Sequence, residues 1–279
     1  MTTGKDTLSR LTGALAHAFE VPESSVDITE SDDWESQNWD ARVICEYERL
    51  VGDLDWALTI SLANEVATQP TEEQLAVHLA RYMGAPVLFP ADVMMPSLRR
   101  LVTPAGDFTY ARVNEPEDEG EEFTVDAVET HVPEFPRAAV FKFPELVRLY
   151  KIDTPITDAL CGESTPKGSF YDVLFGWERL VVRMDAGWPP SAWYPAAMYV
   201  EDLQTRDQLE DQVDRLPAAE QSTARQALEE IDANYRRLTV DDGGQALSEV
   251  IGSLRSIGSD LPWYWKRRPV SIPWEADEL

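Results

Sequence analysis

Two adjacent carboxylates, Asp241 and Asp242, are followed directly by Gly243 and Gly244. Paired carboxylates can exchange protons with a substrate or hold a magnesium ion. Carboxylates at the start of a helix instead bind its free amide groups, and glycines permit a tight entry into that helix. We therefore predict that this pair caps a helix, with acid/base or magnesium chemistry as the alternative.

The segment GESTPKGS, Gly162 to Ser169, has several residue types of a phosphate-binding loop. That loop needs a second glycine before its lysine and a Ser or Thr directly after it, because backbone amides surround the phosphate and the hydroxyl binds magnesium. Here Gly168 separates Lys167 from Ser169. The spacing argues against a nucleotide site.

The histidines His17, His78 and His131 are far apart, and none has a second histidine three or four residues away. Their spacing therefore indicates no metal site. The sequence also lacks the GxSxG elbow of serine hydrolases. We predict no catalytic residue, metal or other cofactor, and retain an enzyme that uses scattered carboxylates as an alternative.

Two acidic segments are candidates for contact with a protein partner. The segment from Asp27 to Asp40 lacks the central glycine and terminal glutamate of a calcium loop, but it sets two tryptophans among carboxylates. Such side chains combine apolar anchors with charge that attracts a basic partner. The run EPEDEGEE, residues 115–122, is too charged to order itself and is interpreted as an exposed loop or the edge of a linker. The candidate residues are Asp32, Asp33, Trp34, Glu35, Trp39, Glu117, Asp118, Glu119, Glu121 and Glu122; a merely solvated face is the alternative for both segments.

The stretch Leu261–Trp274 (LPWYWKRRPVSIPW) sets three basic residues among four aromatic rings. The rings supply apolar area and the prolines stiffen the chain, so we predict that this stretch docks on the body of the protein. Lys266, Arg267 and Arg268 would then pair with the protein's own carboxylates or stack on the rings. A site for an anionic ligand is the alternative.

Hydrophobic periodicity in the first half predicts an α/β arrangement of order α-β-β-α-β-β-β, with a mixed or antiparallel sheet. The stretch from Val26 to Ala41 is interpreted as an acidic loop, and Thr71 with Gln74 fits a capping box. The predicted elements are helices over 8–19 and 71–83, and strands over 43–47, 56–62, 86–90, 98–102 and 108–113.

The second half is predicted to be mainly helical. Thr154 and Pro155 start a short helix, and Pro195 and Pro217 suit the first turns of two more. Residues 170–185 fit either a strand pair or a buried helix. The predicted fold class is α+β, with an α/β domain over 1–140 followed by a mainly helical domain over 141–279.

The charge balance is strongly negative, with 51 acidic against 24 basic residues and a net charge of −27. Because phosphate binding depends on positive surface, nucleic acid is disfavoured as a ligand. Such acidity favours solubility or the attraction of a basic protein.

No apolar run is long enough to span a membrane, and the first residues do not resemble a signal peptide, so we expect a cytoplasmic protein without a membrane partner. Cys45 and Cys161 each follow an aliphatic residue and are expected to be reduced core residues.

The chain resembles immunity proteins of bacterial polymorphic toxin systems, in particular the acidic α/β ones. The segments that carry this resemblance are CEYERLVGDLDWALTISL, PTEEQLAVHLARYMGAPVLFP, DDGGQALSEVIGS and WYWKRRPVSIPW. The resemblance implies a protein that neutralises a cognate, basic toxin by direct binding and carries out no chemistry of its own. A regulatory or scaffold protein that binds another partner is the alternative.

Overall fold

The computed structural model describes residues 1–4, 6–91, 93–116, 122–161, 169–251 and 261–274. The chain divides into two compact units, Met1–Phe143 and Pro144–Leu279. Helices occur in both units, and the first contains mixed sheet structure. The predicted α+β class is confirmed at this level.

The first unit has two helices and eight strands among its described residues. Both strands of the predicted hairpin, the capped helix and the next three predicted strands are confirmed. The elements are α1 Thr7–Phe19, β1 Val26–Glu30, β2 Val43–Arg49, β3 Trp56–Leu62, α2 Glu72–Met83, β4 Val87–Pro90, β5 Leu98–Val102, β6 Phe108–Asn114, β7 Thr124–Val128 and β8 Ala139–Val140.

The prediction that residues 26–41 form a loop throughout was wrong for the first five residues. Val26–Glu30 forms β1, which pairs in parallel with β2 in the register Val26 to Val43. The alternation of Val26 and Ile28 with polar residues is a strand signal, but the pairing that stabilises it lies across a long crossover. Strands β7 and β8 were also not predicted.

The strands form two sheets, of order β1-β2-β3 and β4-β5-β6-β7-β8. Thr2 forms a bridge to Trp56 of β3 and to Val87 of β4, so the first residues join the two sheets. The turn between β2 and β3 pairs Gly52 with Phe123. Gly52 has a φ of 117°, and a Cβ there would lie 2.3 Å from the Phe123 carbonyl oxygen, so this contact requires glycine.

Helices α1 and α2 cover one face of the sheets. Leu11, Leu15 and Phe19 of α1 and Leu79 and Met83 of α2 belong to one apolar cluster with residues of β2, β4 and β5. The opposite face forms a second cluster, which includes Leu54 of the β2–β3 turn and Phe135 of the loop after β7. Loss of water contact by these side chains is the main stabilising contribution in this unit.

The second unit is mainly helical in its described part. Residues 170–185, for which a strand pair was the other option, form a helix. The elements are α3 Pro144–Leu149, α4 Pro155–Cys161, α5 Ser169–Asp185, α6 Ala196–Asp207, α7 Leu209–Asp214, α8 Ala218–Leu238, β9 Thr239–Asp241, α9 Gln245–Ile251 and β10 Arg267–Pro269. Strand β10 pairs antiparallel with β9.

The core of the second unit is rich in aromatic rings and contains buried polar groups. Trp177, Tyr199 and Tyr235 are fully buried, and the hydroxyls of Tyr199 and Tyr235 lie 2.6 Å apart. The amides that begin α4 are bound by a side chain from α5, since Glu178 accepts hydrogen bonds from the backbone of Ile156 and Thr157. Buried polar groups of this kind must be paired, because leaving them unpaired costs free energy.

Candidate functional site: an acidic loop with two exposed tryptophans

The loop that follows β1 is the strongest candidate surface. β1 is the first strand of its sheet, and β2 is its one partner strand within the described residues. Because β1 and β2 are parallel, the chain must return along β1 before β2 begins, and residues 31–42 make this return. The loop is therefore held at both ends by paired strands.

The return path is fixed by a carboxylate on β1. Asp27 Oδ2 accepts hydrogen bonds from the Thr29 hydroxyl at 2.5 Å and from the Asn38 backbone amide at 3.2 Å. At the start of the loop, the Ser31 amide donates to the carbonyl of Tyr47. Gln37 is buried and anchors the middle of the loop. The loop thus has a defined backbone path despite its polar composition.

Both tryptophans of this loop point away from the cores. Trp34 is 65% exposed and Trp39 is 69% exposed. Tryptophan is enriched among the few residues that supply most of the binding energy at protein interfaces. Because the two rings are exposed, they do not contribute the folding free energy that their burial would provide.

Carboxylates flank the two tryptophans along the loop. Asp32, Asp33 and Glu35 are exposed, as are Glu30 before the loop and Asp40 near its end. Among the described residues, none of these five takes part in a salt bridge within 4.0 Å. These carboxylates give the loop a negative charge that favours basic partners.

Of the second acidic segment, only Glu122 among the candidates is described, and it is exposed. Glu117, Asp118, Glu119 and Glu121 lie outside the described residues. Phe123 pairs with Gly52 just beyond β2, and Ser31 binds Tyr47 near the end of β2. Glu122 and the start of the loop 31–40 therefore lie at the same end of β2, although they are far apart in the sequence.

The basic aromatic stretch near the carboxy terminus is part of the scaffold. Tyr264 and Trp265 are buried, and both donate hydrogen bonds to Asp207 Oδ1, at 2.6 and 2.9 Å. Arg267 donates to the hydroxyl and carbonyl of Thr239. Arg268 lies 3.9 Å from a carboxylate oxygen of Asp242. Its cations and rings are thus largely used within the unit, as the docking prediction expected.

The paired carboxylates Asp241 and Asp242 serve the backbone. Asp242 accepts hydrogen bonds from the amides of Gly244 and Ala246, and Asp241 accepts one from Gly243. The prediction that the pair caps a helix is confirmed for Asp242, which binds the Ala246 amide in the first turn of α9, whereas Asp241 binds the turn before that helix. Residues 162–168 and 252–260 lie outside the described residues.

Helix packing brings together two histidines that spacing had separated. The rings of His17 on α1 and His78 on α2 stack with centroids 4.9 Å apart. His78 Nε2 lies 3.0 Å from the Ala14 carbonyl, and burial lowers the pKa of His78, against the effect of that hydrogen bond. Within the described part of the chain, no group of three His, Cys, Asp or Glu side chains is placed to hold a metal ion.

The two cysteines are unpaired thiols. Cys45 is buried, and burial raises its pKa to about 12, which makes it a poor nucleophile. Cys161 is half-buried, so it is not the core residue that was expected.

Neither a protein-family model, nor a curated protein, nor a solved structure matches this chain. In the described residues, no helix has the length and apolar character needed to cross a membrane. The candidate surface therefore stands on its geometry and charge alone.

Proposed function

We propose that this protein binds a basic protein partner through the loop 31–40 and carries out no chemistry of its own. The observation that carries the proposal is the pair of exposed tryptophans, Trp34 and Trp39, held on an anchored loop among carboxylates that form no salt bridge with a described residue. The long-range field of the carboxylates accelerates encounter, and the rings slow dissociation once they are buried in the partner.

The specific form of this function that we propose is immunity. A bacterial toxin that acts on nucleic acid must carry positive surface to bind phosphate. An inhibitor with a strongly negative surface is complementary to it, and its carboxylates can occupy the positions of the substrate's phosphates. The net charge of −27 supports this assignment. The resemblance to immunity proteins points in the same direction.

Site-specific photo-crosslinking in cells that naturally contain the protein tests the proposal. A benzophenone amino acid replaces Trp34 in one version of the protein and Val270 in the other. Val270 is a matched control because it is 63% exposed and lies in the second unit. We expect a protein with net positive charge to be captured from position 34 and not from position 270.

A version of the loop with three fewer negative charges distinguishes recognition from chance contact. The triple variant D32N/D33N/E35Q keeps the shape of the side chains and removes three negative charges. We expect the capture from position 34 to fall by about tenfold or more, since close interfacial charge pairs contribute 1.5 kcal/mol or more. An acidic captured protein, or capture that the triple variant leaves unchanged, contradicts the proposal.

The captured partner then decides the biological role. If the purified partner is toxic when expressed alone and the present protein restores growth, the immunity assignment stands. A basic partner without toxicity retains the binding role and replaces immunity with regulation or scaffolding.

A further inference from the structure

The first strand of the sheet has a free edge beside the proposed binding loop. On one side β1 pairs with β2, whereas no strand of the described chain pairs with its other side. Unpaired strand edges are templates for the addition of an extended chain.

The two faces of β1 are already occupied. Val26 and Ile28 pack against the apolar cluster that α1 and α2 form. Asp27 and Thr29 point to the opposite face, where the loop returns and Asn38 binds Asp27. The helices and the loop therefore cover the faces of β1 and leave its edge as the part that can accept a partner.

The pairing pattern shows which backbone groups point outward. The carbonyl of Ser25 and the amide of Ser31 both bond toward β2. Because successive residues of a strand point their backbone groups to alternate sides, Asp27 and Thr29 also face β2. Val26, Ile28 and Glu30 must face away from it.

Only part of that outward edge is satisfied within the chain. The Val26 amide donates to the Glu23 carbonyl, and the Glu30 carbonyl accepts from Asp33. Among the described residues, nothing bonds to the Val26 carbonyl, to either backbone group of Ile28, or to the Glu30 amide. These four groups lie in the pattern that an added strand requires.

The negative charge around this edge favours a positively charged strand as the partner. Glu30 lies on the edge strand, and Asp32, Asp33 and Glu35 follow directly. A second copy of the chain would bring the same carboxylates together, and like charges at such close range are destabilising. A strand with Lys or Arg side chains would instead place its charges against them.

We propose that the outer edge of β1 accepts an extended, Lys- or Arg-rich segment of the partner as an additional strand; this inference rests on the proposed binding function. Hydrogen bonds to Val26, Ile28 and Glu30 align the segment. The loop carboxylates then bind its cationic side chains, and Trp34 and Trp39 contact the body of the partner.

A synthetic peptide, acetyl-Lys-Val-Lys-Val-Lys-Val-Lys-amide, tests the edge directly. The control peptide has the same sequence and charge but carries N-methyl groups on its three central residues, which block hydrogen bonding along both of its edges. We expect the first peptide to slow hydrogen exchange of the Ile28 amide about tenfold or more at saturation, and the methylated peptide to leave that rate unchanged. Equal protection by both peptides, or protection by neither, overturns the proposal.

A pair of variants tests the same edge from the side of the protein. E30P and E30A both remove the Glu30 carboxylate, but only E30P also removes the outward amide. Proline is tolerated at such edge positions, and equal melting temperatures of the two variants would show that both fold. We expect E30P to bind the unmethylated peptide about tenfold more weakly than E30A. Equal affinities argue against strand addition, and self-association of the protein would identify a second copy as the occupant instead.

These results separate the two proposals. Capture of a basic protein from position 34, together with no effect of peptide methylation, retains the binding function and rejects strand addition. Specific protection of Ile28 by the peptide, without capture of any basic protein in cells, supports strand addition at this edge and rejects the proposed physiological partner.

Discussion

Arg206 on α6 and Asp232 on α8 form a buried ion pair joined by two parallel hydrogen bonds. Arg206 Nε lies 3.0 Å from Asp232 Oδ1, and Arg206 Nη2 lies 2.8 Å from Oδ2. The Trp177 indole also donates to Oδ1 at 3.0 Å. The guanidinium packs on the ring of Tyr264, 4.9 Å from its centroid. The pair therefore ties two helices to the basic aromatic stretch near the carboxy terminus.

The variant D232N should destabilise the second unit strongly. Its side-chain partner Arg206 is only 2% exposed, so the guanidinium would remain buried with only the exposed Glu210 carboxylate, 3.2 Å from Nη2, as a counter-charge. We expect the free energy of unfolding to fall by about 3–5 kcal/mol, measured by urea denaturation. D214N is the matched control, because Asp214 pairs with Arg225 at 2.7 Å with both side chains largely exposed. The control should lose about 1 kcal/mol or less, and equal losses in the two variants would contradict the prediction.

The variant E178Q should weaken the start of α4. Both carboxylate oxygens of Glu178 accept backbone amides, at 2.8 Å from Ile156 and 2.7 Å from Thr157. Glutamine offers one oxygen, so one buried amide loses its acceptor, at a cost of about 1–3 kcal/mol. We expect faster hydrogen exchange at these two amides and a lower urea midpoint. E229Q changes an exposed glutamate of α8 and should alter neither.

The stability of the protein should depend on pH through Asp202. The Tyr194 hydroxyl donates to Asp202 Oδ2 at 2.5 Å, and burial raises the pKa of Asp202 to about 6, against the effect of that bond and of nearby arginines. In the unfolded chain an aspartate titrates near pH 4. Between these values the folded state binds more protons than the unfolded state, so the contribution of Asp202 to stability falls as the pH rises.

The variant D202N removes this proton linkage and keeps an oxygen that can accept from Tyr194. Relative to the original protein, D202N should gain roughly 2 kcal/mol in unfolding free energy as the pH rises from 4 to 7. Urea midpoints measured across this range give the difference, in which the many other carboxylates cancel. A difference that does not change with pH would show that Asp202 titrates alike in both states.

The variant D27A should loosen the loop 31–40 without unfolding the sheet. Asp27 Oδ2 holds the Asn38 amide and the Thr29 hydroxyl, and no other described side chain binds that amide. We expect hydrogen exchange at Asn38 to accelerate about tenfold, corresponding to the loss of a bond to a charged acceptor. D40A removes an equal charge from the same loop and serves as the control. Similar exchange in both variants would mean that the anchor is elsewhere.

Several elements of the first unit follow from short-range patterns. Thr71 and Gln74 form the capping box that their spacing predicted, and Gly84 ends α2 with a φ of 70°. The β2–β3 hairpin follows from alternating apolar residues on either side of a turn. These features could be predicted because the groups that stabilise them lie within a few residues of one another.

The candidate site could be predicted only in part. The residue types of the loop indicated a partner surface, but not that Asp27 would fix its path or that β1 would present an unpaired edge. Both depend on parallel pairing between segments separated by the whole loop. The contact between His17 and His78 similarly depends on how α1 packs against α2.

Composition and local periodicity were sufficient for the α+β class, for the negative charge that favours a basic partner, and for most helices and strands of the first unit, because each is a property of neighbouring residues. The strand character of Val26–Glu30, the helical state of residues 169–185 and the use of the Leu261–Trp274 cations within the scaffold were decided by tertiary contacts. In each case the stabilising partners lie far away in the chain, so a local pattern could favour the state but could not specify the contacts that fix it.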